Sequence, residues 1–324
     1  MQEVNATVKV SQSITKKISS AKLNVKWREY KKNKYLFFLL IPVLIWYCIF
    51  SYGPLYGIQL AFKDFHVREG IWGSPWIGMA NFKFLFTQSP DFLIILKNTV
   101  IISFYHIVFG FPAPIVLALL FNEIRSSVFK RIAQTLSYMP HFLSWVVLSG
   151  ILITILSPSS GVVNDVIKWF GFQPIYFIGD ESYFRFTLVV SAIWKEIGWG
   201  TIIYLAALAS VDQQMYEAAV MDGANRWKQT IHITIPALYP VIAILFILRI
   251  GSVLDAGFDQ ILNLYSPSVY GVSDILDTFV YRSGLQNFQF SLTTAVGLFK
   301  NVIALCLVLS TNYIVKRMGQ EGIT

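Results

Sequence analysis

The sequence predicts an all-α membrane protein with six transmembrane helices. The chain is 55% apolar and only 14% charged, whereas roughly 25% of the residues in an ordinary soluble domain are charged. Its mean hydropathy is +0.57. The apolar residues also fall into six long segments, each close to the ~20 residues that a helix needs to cross a bilayer. We therefore expect one membrane domain over residues 35–316, whose core is the helix bundle itself.

Residues 1–34 form a basic segment next to the first apolar run, with nine lysines and arginines against two glutamates. Ile14, Ile18, Ala21 and Val25 recur at helical spacing with lysines between them. This pattern is typical of a basic amphipathic helix that lies on an anionic membrane surface. A solvated cytosolic tail has the same composition, and both interpretations remain open.

The six predicted spans contain helix-breaking residues that a membrane helix tolerates. The spans run over about 35–62, 98–121, 132–156, 186–209, 237–254 and 292–315. Pro42 and Pro54 lie in the first span, and Pro112 and Pro114 lie in the second. Prolines are tolerated there because neighbouring groups satisfy the freed backbone atoms. We expect bent helices rather than missing spans.

The distribution of basic residues predicts the orientation. With both ends on one side, the segments on that side carry 16 lysines and arginines, and the segments on the other side carry 7. The positive-inside rule then places both termini, the tail 317–324 and the segment 210–236 in the cytoplasm. The net charge of +8 is thereby explained by membrane topology, since no nucleic-acid-binding motif accompanies it.

The segment 210–236 is the polar loop with the most regular spacing. Asp212 is suited to cap a short helix over about 213–222, and Gly223 is suited to end that helix with a positive φ. Pro236 fits the first turn of the next helix. The sequence predicts a helix, a glycine break and a second short helix before the membrane.

This loop reads Glu-Ala-Ala, three residues, Gly, nine residues, then Ile-x-Ile-Pro. The pattern closely resembles the cytoplasmic "EAA" loop of permease subunits of bacterial ABC importers, although Ile235 stands where the family usually has Leu. The resemblance covers essentially the whole chain. The passages 70–78 and 194–199 are similar to the LplB-like carbohydrate branch, and the chain looks most like the larger permeases of alginate-oligosaccharide importers.

The resemblance implies a type I ABC importer permease fold in the bacterial inner membrane. It implies a heterodimer with a second permease, two ATPase subunits that bind ATP and Mg²⁺, and a periplasmic or lipid-anchored solute-binding protein. No cofactor is expected in this chain. The positions that would couple it to the ATPases are Glu217, Ala218, Ala219, Gly223 and Pro236.

The sequence predicts no catalytic or metal site. The stretch 223–230 is the nearest approach to a phosphate-binding loop, but it lacks the second glycine and follows no predicted strand. His106 and His141 lie inside apolar spans, where a hydrogen-bonded structural role is the simpler interpretation. Cys48 and Cys306 are predicted to be buried thiols. The chain is therefore interpreted as a non-enzyme that needs a separate motor.

Charged residues inside the spans are candidates for the substrate path, because each costs about 2.5–3.5 kcal/mol at mid-bilayer on insertion scales. The candidates are Arg249, Lys300, Asn301, Asp255, Tyr47, Trp194, Lys195 and Glu196. Arg249 and Lys300 would suit the carboxylates of acidic oligosaccharides such as alginate fragments. Polar contacts between helices explain the same residues, and a neutral oligosaccharide remains an alternative substrate.

Two other classes of protein remain open. An ion-coupled secondary transporter or a channel would need ion-binding groups at the midplane and often has inverted repeats, and neither is evident in the sequence. A membrane scaffold would not need the Glu-Ala-Ala loop.

Overall fold

The computed structural model describes residues 33–319. The basic segment up to residue 32 and residues 320–324 lie outside the described residues, and so does the predicted interfacial helix. The described residues form helices and no named strand, with one isolated bridge between Lys63 and Trp76. The α-helices, numbered α1 to α16, are Lys34–Trp46, Gly70–Gly73, Ala80–Thr87, Phe92–Tyr105, Pro112–Glu123, Ser127–Tyr138, Trp145–Ile155, Val162–Trp169, Glu181–Ala209, Gln213–Met221, Arg226–Gln229, Ile235–Gly251, Phe258–Leu264, Tyr270–Ser273, Leu276–Val280 and Phe290–Arg317.

The chain divides into two compact units, one up to Gln59 and one from Leu60 onward. In the first unit, α1 continues into a π-helical stretch over Tyr47–Tyr52. A 3-10 helix then runs over Gly53–Phe62. The second unit contains α2 to α16.

The predicted all-α membrane fold is confirmed. Five continuous helical segments are long and apolar enough to cross a membrane: Lys34–Phe62, Phe92–Glu123, Glu181–Ala209, Arg226–Gly251 and Phe290–Arg317. A sixth span is formed if one bent pair of helices is counted as a single crossing. The fifth predicted span, expected over 237–254, begins earlier because the short helix after Gly223 runs without a break into α12 through a π-helical turn.

The third predicted span, over 132–156, is not one straight helix. Its two parts, Ser127–Phe142 and Trp145–Ile155, meet at an angle of 107°. Leu143 and Ser144 are extended between them, and the Ser144 side chain accepts a hydrogen bond from Val147 N–H at the start of α7. The sequence prediction missed this break, although Pro140 lies in the 3-10 turn immediately before it.

The segment 255–292, predicted to lie outside the bundle, supplies part of the core. Its short helices bury Ile261, Leu264 and Ile275 against Leu148 and Phe184. Each fully buried side chain of this size contributes about 1.5–3 kcal/mol relative to exposure. The segment is therefore a packed element, although its short helices gave no continuous apolar signal.

A polar network holds this segment against α4 and α9. Arg185 donates to Asn98 Oδ1 at 2.7 Å, and Asn98 donates to the carbonyl oxygens of Gly271 and Asp274. Asp274 in turn accepts from Arg282 at 2.5 and 3.2 Å. This pairing raises the pKa of Arg282 above its ordinary value, so the pair stays charged.

The two cysteines are not buried as predicted. Cys48 and Cys306 are both free and exposed. Both lie on apolar spans, and a span exposes apolar side chains on the face that meets lipid rather than protein. The apolar surroundings that suggested burial therefore reflect the membrane.

Candidate functional site: a charged cavity and the loop from Glu217 to Pro236

The second unit contains a cavity of about 830 Å³, which is within the usual range for ligand pockets. Residues from α5, α7, α9 and α12 line it, together with the π-helical turn after α4 and the segment after α12. Its aromatic lining residues are Phe111, Trp145, Trp199, Tyr204 and Phe258. Its ionisable acidic lining residues are Glu196, Asp255, Asp259 and Asp277. The combination of aromatic faces with polar groups suits a hydroxyl-rich ligand.

Arg249 is the only lysine or arginine among the described residues that line the cavity. It lies in the last turn of α12, where the helix dipole favours a cation. Within residues 33–319 its guanidinium makes no ion pair. Asp255 and Glu196 line the same cavity. Arg249 is therefore available to an anion that enters the cavity.

Lys300, by contrast, is already paired with two carboxylates. From α16 its ammonium contacts Asp255 Oδ1 at 2.6 Å and the two carboxylate oxygens of Asp277 at 2.8 and 2.7 Å. Burial raises the pKa of Asp277, and the hydrogen bonds from Lys300 act in the opposite direction. Lys300 is not among the cavity-lining residues. Its geometry matches the alternative that the sequence left open, a polar contact between helices.

Lys195 and Glu196 are placed at the bend between α6 and α7. Lys195 is buried and donates to the carbonyl oxygens of His141 at 2.7 Å and Leu143 at 2.9 Å. Glu196 Oε2 lies 2.9 Å from His141 Nδ1, and the His141 ring stacks on Trp199 at 4.5 Å. Lys195 thus satisfies carbonyl groups that the bend leaves without helical partners. Glu196 also lines the cavity, whereas Lys195 does not.

Three other candidates lie elsewhere. Trp194 and Asn301 are exposed and do not line the cavity. Tyr47 lies in the first unit, on the π-helical stretch. Of the eight candidates, the structure brings Arg249, Asp255 and Glu196 together in the cavity.

Sequence reasoning missed several lining residues, above all His106, Gln260 and Asp277. His106 is buried on a π-helical turn, and its Nε2 has no hydrogen-bond partner among the described residues. Such turns are frequent at functional sites. Gln260 is buried and donates to Leu188 O and Ser191 Oγ, both at 2.8 Å. Gln260 and Asp277 were missed because their segment was predicted to lie outside the bundle.

The loop folds as its spacing predicts. Asp212 caps α10 by accepting from Gln214 N–H at 2.9 Å, Gly223 has φ +74°, and Pro236 lies in the first turn of α12. Arg226 donates to Glu123 at 2.8 Å, which ties the loop to the end of α5. The local conformation predicted from capping and glycine is confirmed.

The outer surface of this loop is apolar and open. Met221 is 87% exposed and Trp227 is 71% exposed, and Met215 and Val220 are also exposed. Glu217 is exposed and makes no ion pair within residues 33–319. An isolated helix with this much exposed apolar surface beside a free carboxylate is typical of a protein-contact surface.

The described residues hold no group of three or more histidine, cysteine, aspartate or glutamate side chains that could bind a metal ion.

Comparison with known proteins assigns the family. Residues 110–320 match the model described as "Binding-protein-dependent transport system inner membrane component". The chain is 45% identical to protein LplB of Bacillus subtilis, over 90% of this chain and 92% of that protein. It is 44% identical to the polygalacturonan/rhamnogalacturonan transport system permease protein YteP of the same organism, over 90% of this chain and 91% of that protein.

Two solved structures are also similar. One is a bacterial ABC transporter involved in the import of the acidic polysaccharide alginate, with a TM-score of 0.84 and 42% identity over 90% of this chain and 98% of that chain. The other is a bacterial alginate ABC transporter in complex with an alginate pentasaccharide-bound periplasmic protein, with a TM-score of 0.85 and 40% identity over 92% and 99%. The family and the fold expected from the Glu-Ala-Ala loop are confirmed. The chain belongs to the family of inner-membrane components of binding-protein-dependent transport systems, and it is the permease subunit of an ABC importer.

Proposed function

We propose that this permease carries acidic oligosaccharides, such as fragments of alginate or other uronate-containing polysaccharides, and that Arg249 contacts their carboxylates. The main support is that Arg249 lines the cavity and makes no ion pair within residues 33–319. Lys300, in contrast, is paired with Asp255 and Asp277. A guanidinium binds a carboxylate through two parallel hydrogen bonds. The cargoes of two similar proteins, polygalacturonan/rhamnogalacturonan and the acidic polysaccharide alginate, support the same class.

The sequence suggested both Arg249 and Lys300 as contacts for the substrate carboxylates, and the structure favours Arg249. Lys300 would have to leave two carboxylates in order to bind a third, so it contributes less to recognition of an incoming anion. The four carboxylates around the cavity also oppose any anion that does not reach Arg249. The remaining lining, with its aromatic rings, Ser252 and Gln260, suits the hydroxyl groups and apolar faces of sugar rings.

The loop from Glu217 to Gly223 is proposed to be the contact with the ATPase subunits. Its small Ala218 and Ala219 allow close packing, Glu217 is free for a basic partner, and Met221 and Trp227 offer apolar surface. The segment Arg226–Gly251 is one continuous helical run that ends at Arg249 and the cavity. A displacement of the loop can therefore reach the cavity along this helical run.

We further propose that the motor is separate. The partners are a second permease, two ATPases that bind ATP and Mg²⁺, and a solute-binding protein outside the membrane. The orientation with both termini in the cytoplasm follows from the excess of basic residues on that side. ATP binding closes the ATPases, the loops move with them, and the permease pair alternates between inward-facing and outward-facing states.

The test is uptake into proteoliposomes by the complete importer. Wild type should import uronate oligosaccharides in an ATP-dependent manner. Arg249→Ala should reduce their kcat/KM by about 10- to 100-fold, as expected for loss of a charge-assisted hydrogen bond, and reduce neutral oligosaccharide uptake much less. Arg249→Lys should restore part of the loss because it keeps the charge without the fork. Equal losses for acidic and neutral sugars would assign Arg249 a folding role.

A further inference from the structure

Asp255 binds the cation Lys300 and lines the cavity that also contains the cation Arg249. Asp255 ends the short 3-10 helix that follows α12, six residues after Arg249. Its side chain is 60% exposed, and it contacts Lys300 at 2.6 Å. Both Asp255 and Arg249 line the cavity. The same carboxylate therefore binds one cation, Lys300, and lines the cavity together with another, Arg249.

The backbone at this point is unusual. Ala256 has φ +46° and Gly257 has φ +81°, so two consecutive residues adopt left-handed conformations immediately after Asp255. A non-glycine residue in this region is strained, and such strain is found at functional sites and switch regions. Ala256 is also buried. The chain thus reverses sharply just beyond the carboxylate, at the end of the continuous helix Arg226–Gly251.

The charges balance within this group. Arg249 and Lys300 carry two positive charges, and Asp255 and Asp277 carry two negative ones. An entering carboxylate adds a negative charge, so it binds best while Asp255 is neutralised by Lys300 and not by Arg249. If Asp255 leaves Lys300, its charge becomes free to compete for Arg249. Only one of the two carboxylates can then hold the guanidinium in the two-bond geometry.

We propose that Asp255 is an internal competitor of the substrate carboxylate and a specificity-determining residue for release. While Lys300 holds Asp255, Arg249 is free for the sugar. When movement of the helix Arg226–Gly251 separates Asp255 from Lys300, Asp255 pairs with Arg249 and displaces the sugar carboxylate. Asp277 remains on Lys300 and keeps that lysine charged and paired. This inference rests on the proposed function, since it needs an acidic substrate that contacts Arg249.

Two single substitutions should change the KM for acidic oligosaccharide in opposite directions. Asp255→Asn removes the competitor, so the KM for acidic oligosaccharide should fall and kcat should fall about tenfold, because release becomes slow. Lys300→Gln frees Asp255 permanently, so the KM for acidic oligosaccharide should rise about tenfold. These magnitudes correspond to one charge-assisted hydrogen bond. The double variant Asp255→Asn, Lys300→Gln should lose the rise in KM seen in Lys300→Gln, because no carboxylate remains at position 255 to compete for Arg249.

The experiment measures uptake of a uronate oligosaccharide and of a neutral oligosaccharide by the complete importer in proteoliposomes. Asp165→Asn is the matched control, since it removes a carboxylate from a lysine pair, Asp165 with Lys168, outside the cavity. It should leave both kinetic constants unchanged. A merely structural role for Asp255 would move the KM in the same direction in both single variants, and the double variant would be worse than either.

The outcomes separate the two proposals. If wild type does not import the acidic sugar, the proposed function and this inference are both overturned. If wild type imports it and the two single variants shift the KM in the same direction, or not at all, this inference alone is overturned. Opposite shifts with recovery in the double variant support it.

Discussion

Gly198 lies directly against the carbonyl oxygen of Ser137. A Cβ built on Gly198 would come within 2.1 Å of that oxygen, a distance at which backbone atoms have to move. The contact joins the middle of α9 to the end of α6, next to the 107° bend. The glycine is therefore required for close approach of two helices, as small residues commonly are in membrane bundles.

We predict that Gly198→Ala destabilises the permease by about 3 kcal/mol, at the upper end of what overpacking costs. The measurement is the unfolding temperature of the purified complex in detergent. Gly150→Ala is the control, because Gly150 is also inside a helix and a Cβ there meets nothing within 4 Å. Alanine should be neutral or slightly stabilising at that site. Equal unfolding temperatures for the two variants would contradict the packing described.

Lys195 provides a second test of the bend. Lys195→Met keeps most of the side-chain volume but removes the donor that satisfies His141 O and Leu143 O. We expect a loss of about 2–4 kcal/mol, since each buried carbonyl left without a partner costs about 1–3 kcal/mol. Lys168→Met, in an exposed pair with Asp165, should change stability by less than about 1 kcal/mol. A Lys195→Met complex as stable as this control would mean that the bend does not depend on the lysine.

The ion pair between Arg226 and Glu123 should matter more for coupling than for stability. Both side chains are largely exposed, so breaking the pair should cost less than about 1 kcal/mol. Because the pair ties the loop to α5, Glu123→Arg should lower the amount of sugar imported per ATP hydrolysed. The charge-reversed pair Glu123→Arg with Arg226→Glu should recover it. Failure of the double variant to recover would show that the residues act independently.

The sequence predicted most of the fold because long apolar spans and local caps are encoded locally. Asp212, Gly223 and Pro236 act within a few residues of themselves, and the local conformations predicted for them are confirmed. Pro140 is a local signal for the bend at Leu143, but the donor that satisfies its carbonyl groups, Lys195, is 52 residues further along the chain. The sequence left open a polar contact for Lys300 but did not identify its partners, because Asp255 and Asp277 come from a segment that has no continuous apolar pattern.

The most direct test of coupling concerns Gly223. Its φ of +74° is inaccessible to proline, so Gly223→Pro should distort the loop and leave the membrane bundle folded. Gly171→Pro is the matched control, with φ +82° and open space around it, away from the loop. A second variant, Glu217→Lys, reverses the charge of the proposed contact without altering the backbone.

The decisive measurement is a parallel assay of two rates in proteoliposomes, acidic oligosaccharide import and substrate-stimulated ATP hydrolysis by the complete importer. We predict that Gly223→Pro and Glu217→Lys each lower uptake and substrate-stimulated ATP hydrolysis at least about tenfold, as expected if contacts worth more than about 1.4 kcal/mol are lost, while Gly171→Pro keeps both. Full uptake and full substrate-stimulated hydrolysis in both loop variants would contradict the assignment of Glu217 to Gly223 as the contact with the ATPases.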